Sequence, residues 1–582
     1  MTLAPHASPA ALPDGRTDAL PRPRAGRDTA IQYGLALLTV VLVAAPLVPV
    51  LYQSVLDRAL YDTGQSFTLA NFGRLFRAEG FGLVIWNTFV FAGLTTLISQ
   101  TLGTLAAVLF GRTDMPGARV FGELFLWPIY LSALVLSFGW YTVYGPAGYL
   151  TLIAQDWLGG APWDLYSLPG MAMIAGVSQA PVAYIYCMSS ATITDPSLEE
   201  AARVAGAGTF RTLRRITLPL LMPAIAYSAV LNFTVGLELL AIPLVFGDPA
   251  GITVLTTFLY NNGVASARPD HGLVATAAVL MLAVVCVLVW LQGRLLGNTR
   301  RFVTLGGKAT RPRPFRLDRL RWPLFAVSAL YIAATVVAPI GALLLRAFTS
   351  LLSPMVPLAE VLTTANFTNM AEYPVYPRSI WNSFLISALG GVIATALIAL
   401  IAVIVLRSEF RWRGALHYVA LFPRAVPGVV AGIGFFYAFA LVPGLGGLRN
   451  TIWILIIAFT MHYIPVGLGA VAPMLMQMSP DLDRAARVQG ADWWTASRRI
   501  VLPLMRPALV ACFTILFITF FKEYTTAIFL FAPGSEVIGT TLLQAWTQGE
   551  VGLVSALATI QVLVIGTCVT LARAVFGVRL HG

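Results

Sequence analysis

Charged residues are scarce in this chain of 582 residues: Asp, Glu, Lys and Arg together make up 11%, against about 25% in an ordinary soluble domain. Hydrophobic residues make up 58%, and the mean hydropathy is +0.78. Because one soluble core cannot bury so much apolar surface, the composition excludes a soluble enzyme, a coiled coil and a disordered protein. The length leaves room for about a dozen membrane spans at roughly 20 apolar residues each.

Motifs for catalysis, metal binding and nucleotide binding are also missing. The five histidines show no metal-ligand spacing, and the sequence contains no GxxxxGK[ST] loop that could hold ATP phosphates. The four cysteines lie in apolar runs without a CxxC pair, which excludes a disulfide framework and a zinc site. The sequence therefore offers no catalytic residue, no metal site and no cofactor site of its own.

Apolar segments long enough to cross a bilayer form two sets of six, and lipid permits only helices for such runs. The least regular are the third and ninth, because both contain internal prolines. A disordered basic tail is expected before them at 1–30, and a basic cytoplasmic linker between the sets at 294–321. The expected spans are 31–54, 84–110, 118–144, 168–190, 219–246 and 272–293, then 322–346, 379–406, 414–441, 450–478, 507–531 and 551–576.

The basic residues indicate how the chain is oriented. If the N-terminus lies inside and the spans alternate, 29 of the 38 lysines and arginines fall on the cytoplasmic side and seven fall outside. The positive-inside rule then predicts a multi-pass protein of a bacterial inner membrane with both termini in the cytoplasm. This distribution explains the net charge of +12 without nucleic acid as a partner.

The two sets of spans are copies of each other. The tetrapeptide WNTF at 86–89 recurs as WNSF at 381–384, an offset of 295 that also relates Gly139 to Gly434. Beyond the third span of each half the offset becomes 284. Since each half has an even number of spans, the halves are parallel repeats, as in many transporters. The predicted domains are a first half at 31–293 and a second half at 322–577.

A polar cytoplasmic stretch between the fourth and fifth spans of each half is the best-matched part of the repeat. The stretches 196–225 and 480–509 are identical at 16 of their 30 aligned positions, although loops ordinarily diverge faster than spans. Each ends in a basic amphipathic segment and a Leu-Pro pair, at 218–219 and 502–503, that should open the next span. On physical grounds alone, each stretch could equally be an amphipathic connector that lies on the lipid headgroups.

Each stretch should contain one short helix. Pro196 and Pro480 can start it, and the acidic residues that follow favour its positive end. Gly206 and Gly490 should end it in a left-handed turn. Pairs of alanines between these points form a small-residue surface that a partner can approach closely.

These residues resemble the cytoplasmic EAA loop of ABC importer permeases: Glu-Ala-Ala, three residues, Gly, nine residues, then Ile-x-Leu-Pro. The first copy carries the pattern from Glu200 to Pro219. The second departs from it at Arg484, where glutamate is expected, and Asp483 is the nearest acid. The resemblance implies that both stretches dock on an ATPase through these residues: Glu199, Glu200, Ala201, Ala202, Gly206, Asp483, Arg484, Ala485, Ala486 and Gly490.

The resemblance implies an all-α membrane protein of the type I ABC importer fold, with two parallel six-helix repeats and core domains at about 82–293 and 377–577. It implies a permease rather than an enzyme, with ATP and Mg on two partner ATPase subunits and substrate delivered by a periplasmic or extracellular binding protein. The fused halves and the stretch 522–524 resemble the ferric-iron branch. Thiamine and aminoethylphosphonate permeases are close alternatives, and an ion-coupled secondary transporter is the alternative of another class.

Charges inside the spans are candidates for the pathway or its gate, because an intramembrane charge is costly and usually functional. Glu238 lies in the fifth span, and Lys522 and Glu523 lie at the matching place in the eleventh. Arg424 lies in the ninth span. Pairing among these charges is the simpler interpretation. In either case Glu238 and Glu523 should lie between the halves, toward the outer face.

Overall fold

The computed structural model describes residues 25–193, 197–296, 314–441, 446–479 and 481–576. Most of the predicted tail at 1–30 and linker at 294–321, and both Pro196 and Pro480, lie outside these residues. The described chain is almost entirely helical, and its only β-structure consists of isolated bridges. The first helix begins at Ala25, six residues before the predicted start of the first span.

Helices of each half form the spans, the cytoplasmic stretches and parts of the outer loops. Short outer helices at Ala70–Arg77 and Ala365–Glu372 follow the first helix of each half. The first half contains α1 (Ala25–Ser54), α2 (Phe81–Arg112), α3 (Ala118–Tyr130), α4 (Ala133–Tyr144), α5 (Leu168–Ile193), α6 (Ser197–Val204), α7 (Thr209–Glu238), α8 (Leu255–Gly263) and α9 (His271–Leu296). The second half contains α10 (Asp318–Ala347), α11 (Val375–Arg407), α12 (Arg413–Ala425), α13 (Gly428–Leu441), α14 (Ile452–Gln477), α15 (Asp481–Val488), α16 (Trp493–Leu504), α17 (Arg506–Phe521), α18 (Ile538–Thr547) and α19 (Val551–Phe576).

Three sharp bends interrupt the helices, two of them inside predicted spans and the third just before the eleventh predicted span. The described residues contain nine helices long and apolar enough to cross a membrane, or up to 12 if each bent pair forms one span. The chain turns by 111° between α3 and α4, by 108° between α12 and α13, and by 74° between α16 and α17. The prediction of continuous helices at 118–144 and 414–441 is therefore wrong. At the first break Ser132 caps α4 by accepting a hydrogen bond from the Val135 amide, at 3.2 Å.

The neighbours of the first two bent pairs show that both of these pairs still carry the chain across. Along α2, Ile98 lies against Gly176, Gly103 against Ala183 and Gly111 against Met188, so α2 and α5 run in the same direction. The segment between two parallel helices must return to its starting side. The same holds for α11 and α14, where Gly390 lies against Ile456 and Ile398 against Gly467. Six crossings per half remain the organisation of the fold.

The first helix of each half packs on the other half. Helix α1 contacts α13, and α10 contacts α4. The repeated glycines mark both crossings: a Cβ on Gly434 would lie 2.1 Å from the Pro46 carbonyl oxygen, and one on Gly139 would lie 2.7 Å from that of Pro339. Only glycine permits so close an approach of two backbones. One apolar core cluster accordingly contains buried residues from both halves.

The repeated tetrapeptides at 86–89 and 381–384 hold the outer loops in place through hydrogen bonds. Thr88 accepts a hydrogen bond from the Leu255 amide at the start of α8, and Ser383 accepts one from the Ile538 amide at the start of α18, each at 2.8 Å. The neighbouring Asn382 donates to carbonyl oxygens of the loop before α18. The hydroxyl and amide of this motif thus satisfy backbone groups that would otherwise be unpaired next to the membrane.

Candidate functional site: paired cytoplasmic arms and a polar cavity

The two predicted cytoplasmic helices are present as α6 and α15, each eight residues long, and we call them the arm helices. Both end before a glycine with a φ of +79°, at Gly206 and Gly490. The predicted left-handed turn is confirmed at both positions. No atom of the described chain outside the local backbone lies within 4 Å of a Cβ built on either glycine, so the turns are open to their surroundings.

A buried ion pair fixes the first arm helix. Arg112, the last residue of α2, pairs with Glu199 of α6, and both side chains are only 3% exposed. Arg112 also donates to the Ala191 carbonyl at 2.9 Å, while Glu199 accepts from the Thr217 hydroxyl at 2.8 Å. Glu199 is therefore buried rather than exposed on the arm, and its part in docking on a partner stays a prediction. Its carboxylate contacts Arg112 and Thr217, and these contacts hold α6 to α2 and α7.

The second arm helix is held in the same way at the repeat-equivalent positions. Arg407, the last residue of α11, pairs with Asp483 of α15 at 3.1 Å. Arg407 also donates to the carbonyl oxygens of Leu475, Met478 and Ser479. Asp483 thus takes the place of Glu199, not of Glu200 as the sequence suggested, and its carboxylate is directed to Arg407.

The exposed surface of the arm helices is more apolar than the motif indicated. Glu200, Ala201, Arg484 and Ala485 are exposed as expected, whereas Ala202 is half-buried and Ala486 is buried. The largest exposed apolar side chains occupy equivalent places in the two arms. Their equal spacing in the two copies is the sequence signal that could have predicted this surface. These side chains are Leu198 (44% exposed) and Val204 (91%) on α6, and Leu482 (41%) and Val488 (73%) on α15.

The connection from the arms to the inner helices differs between the halves. In the first half the regular α-helical part of α7 begins at Leu218 and continues to Glu238. In the second half regular α-helix begins at Leu502, is interrupted at Met505 and resumes at Arg506. The prediction that the Leu-Pro pairs begin the next helices is therefore confirmed, although only the first copy continues without a break. Five-residue π-helical turns directly precede Leu218 and Leu502.

A polar cavity of about 260 Å³ lies between the halves beyond the ends of α7 and α17. Glu238 is the last residue of α7, and Glu523 follows the end of α17 by two residues. The prediction that both carboxylates lie between the halves is confirmed by the residues that line this cavity. Its polar lining includes Ser132, Ser178, Gln179 and Glu238 from the first half, and His462, Tyr463, Lys522 and Glu523 from the second.

Hydrogen bonds rather than ion pairs hold the charges at this cavity. Lys522 donates to the Ile129 carbonyl, just before the break in the first half. Glu523 accepts from the Tyr463 hydroxyl and, at 2.9 Å, from the Thr526 amide. Among the described residues no ion pair joins Lys522 to either carboxylate. The pairing interpretation for these three charges is therefore wrong.

Arg424 reaches across to the first half at a level closer to the arms. Its guanidinium donates to the Tyr227 hydroxyl at 3.1 Å and lies 5.6 Å from the centre of that ring. Tyr227 in turn packs against Tyr186, with ring centres 5.0 Å apart. The partner of Arg424 is thus a tyrosine of the opposite half rather than a carboxylate.

The cavity does not have the composition of a resident metal site. Across the described ranges no group of three or more His, Cys, Asp or Glu side chains is arranged to hold a metal ion. The cavity instead offers separated hydrogen-bonding groups in a wall that is otherwise apolar. Such a lining suits brief contact with a passing solute better than tight binding.

Two arms fixed by equivalent ion pairs and a polar cavity between parallel halves are the features of a duplicated membrane permease. Residues 83–301 and 391–582 match the family described as binding-protein-dependent transport system inner membrane component. The chain belongs to this family and is a permease of the ABC importer class, with a type I fold and multiple membrane passes. The match occurs once in each half.

Relatives with known names cover most of the chain. It is 26% identical to the ferric transport system permease protein FbpB 1 of Haemophilus influenzae, over 82% of this chain and 75% of that one. It is 25% identical to the ferric transport system permease protein FbpB of Actinobacillus pleuropneumoniae, over 87% and 73% of the two chains. A chain of a bacterial ABC importer for the acidic polysaccharide alginate aligns with a TM-score of 0.41 at 21% identity, covering 48% of this chain and all of the other.

Proposed function

We propose that this chain supplies both permease halves of an ATP-driven importer and that each arm docks on one of two ATPase subunits. The observation that supports this proposal is the duplication of the arms, down to the ion pairs Arg112–Glu199 and Arg407–Asp483. A free connector on the headgroups has no need of buried ion pairs. A docking element needs such ion pairs, because it must keep its position relative to the spans when a partner subunit moves it.

The exposed apolar residues of the arm helices are the proposed contact points. Leu198 and Val204 on one arm and Leu482 and Val488 on the other present a small apolar patch beside exposed charges. Apolar patches of this kind on an otherwise polar surface mark interaction sites. ATP and Mg bind to the partner subunits in this proposal, and both chain termini lie in the cytoplasm with the arms.

We propose ferric iron, delivered by a periplasmic or extracellular binding protein, as the substrate. The named relatives that cover most of this chain are ferric permeases. Carboxylate and phenol oxygens suit a hard cation, and the cavity presents Glu238, Glu523 and Tyr463. A small polar passage also suits an ion better than a sugar or a peptide.

Reconstitution in proteoliposomes tests this proposal. The chain is co-expressed with a candidate ABC ATPase, and uptake of radioactive iron is measured with the iron-loaded binding protein outside and ATP inside. We expect uptake only when both ATP and the binding protein are present. Uptake driven by an ion gradient without ATP would contradict the importer, and ATP-driven uptake of thiamine or aminoethylphosphonate in place of iron would contradict the substrate.

Variants of the arms provide the matched control. Replacing Val204 and Val488 by Asp should abolish ATP-driven uptake while the chain still inserts and purifies as a single species. Replacing Trp157, an exposed residue of the outer helix Tyr149–Leu158, by Asp adds one such charge far from the arms and should leave uptake intact. Full uptake by the double arm variant would contradict the docking role.

A further inference from the structure

A large apolar groove lies on the second half, away from the polar cavity and the arm surfaces. Its volume is about 1080 Å³, and it is bounded by α11, α16, α17 and α19. Exposed apolar side chains form its rim, including Val392 (58% exposed), Leu563 (60%) and Leu571 (56%). An exposed apolar rim on a membrane helix faces lipid, so the groove opens toward the bilayer.

The groove runs along the membrane normal from the cytoplasmic side inward. At one end lie Trp494 and Arg498, which belong to the connection that follows the second arm. At the other end lie Phe384 and Phe517, near the ends of α11 and α17 that are remote from the arms. The groove therefore begins at the headgroup level and continues among the acyl chains.

The 74° bend between α16 and α17 creates the groove. Arg498 and Leu502 line it from one side of the bend, while Leu509 and Phe513 line it from the other. Residues on both sides of a bend can face one concavity, which residues along a straight helix cannot do. In the first half α7 is straight through the equivalent positions, so the repeat supplies a natural control.

The cytoplasmic end of the groove is basic. Arg498 is exposed, and it forms no ion pair with any described residue. Trp494 is held beside it because the Asp28 carboxylate of α1 accepts hydrogen bonds from the amides of Trp493 and Trp494. A tryptophan at the interface together with a free arginine is the usual recognition of the headgroup region.

We propose that this groove binds an anionic phospholipid of the cytoplasmic leaflet, with an acyl chain along α17 and the phosphate on Arg498. The apolar walls exclude a water-soluble ligand, and the basic end selects an anionic headgroup over a zwitterionic one. Bound there, the lipid fills the space opened by the bend and supports the joint between the second arm and α17. This proposal is independent of the substrate.

Native mass spectrometry of the purified, delipidated full-length chain tests the site. Dioleoyl phosphatidylglycerol and dioleoyl phosphatidylcholine are added separately, and retained lipid is counted per protein. We expect Arg498→Gln to weaken phosphatidylglycerol retention about fivefold, the effect of one cation near an anionic headgroup. Phosphatidylcholine retention should change little.

Two matched variants from the first half serve as controls. Arg214→Gln removes the repeat-equivalent charge and should leave phosphatidylglycerol retention unchanged. Ala396→Trp fills the groove from the exposed face of α11 and should reduce retention of both lipids, whereas Thr101→Trp at the equivalent place on α2 should not. Unchanged retention in Arg498→Gln, or an equal loss in Arg214→Gln, would overturn the proposal. Size-exclusion profiles confirm that each variant is folded.

Discussion

Removal of the Glu199 charge should release the first arm helix. In Glu199→Gln the Arg112 guanidinium stays 3% exposed but loses its counter-charge. Breaking a buried ion pair by removing one partner costs about 3–5 kcal/mol, because a buried charge is left uncompensated. The arm is eight residues long and makes few other contacts with the body of the protein. We expect this cost to appear as local opening of α6 rather than as global unfolding.

The second arm should tolerate the equivalent change better. In Asp483→Asn the Arg407 guanidinium keeps its bonds to the Leu475, Met478 and Ser479 carbonyl oxygens. Its pair is also more exposed, at 8% and 16% of the two side chains. The loss is then closer to one charge-assisted hydrogen bond, about 1.5–3 kcal/mol. Opening of α15 should therefore be rarer than opening of α6.

Hydrogen exchange measures both openings in the same sample. Faster exchange is expected at 197–206 in Glu199→Gln, with a smaller increase at 481–490 in Asp483→Asn and no change elsewhere. ATP hydrolysis by the assembled transporter should lose its response to the binding protein in the first variant. The control is Arg112→Met combined with Glu199→Met, which should restore protection because apolar side chains can replace a buried pair. Equal protection in Glu199→Gln and wild type would refute the reasoning.

Three further changes test other parts of the fold. Gly434→Val should separate α1 from the second half, since even a Cβ would lie 2.1 Å from the Pro46 carbonyl oxygen; the measurement is a drop in thermal stability. Gly490→Leu should cost roughly 1 kcal/mol through its φ of +79° but reduce uptake far more, because the added bulk meets the ATPase, and equal losses in stability and uptake would contradict this. Reversing the charges at Glu238 and Arg424 together should preserve more iron uptake than either single reversal, and equal losses in all three variants would argue against their cooperation.

The sequence was sufficient for the features whose signals are both local and duplicated. The offsets of 295 and 284 identified the two halves, the arm helices and the turns at Gly206 and Gly490, because duplicated local signals reinforce each other. The periodicity also placed most spans, since a long apolar run in lipid has only one stable backbone form. The glycines of the repeat were informative as well, although their role at the crossing of α1 and α13 became clear only from the structure.

Contacts between residues that are far apart along the chain could not be predicted from the sequence. Arg112 and Glu199 are 87 positions apart, and no local pattern links the end of one span to an arm four elements later. The sharp breaks at 131–132 and 426–427 were visible only as prolines, which are equally compatible with a mild kink in a buried helix. The bend at Met505 had no counterpart in the first half, so the repeat argued against it.

The two offsets of the repeat also explain the charges at the cavity. The offset of 284 relates Glu238 to Lys522, and the offset of 295 relates Ile129 to Arg424. The bond from Lys522 to the Ile129 carbonyl therefore has an equivalent pair in the other half, Glu238 and Arg424, whose charges are opposite. Arg424 instead bonds Tyr227, which lies 11 residues before Glu238 and thus on the same face of α7, about three turns away. One of the two equivalent positions thus holds a lysine–carbonyl hydrogen bond, whereas the other holds two opposite charges that form no ion pair with each other among the described residues.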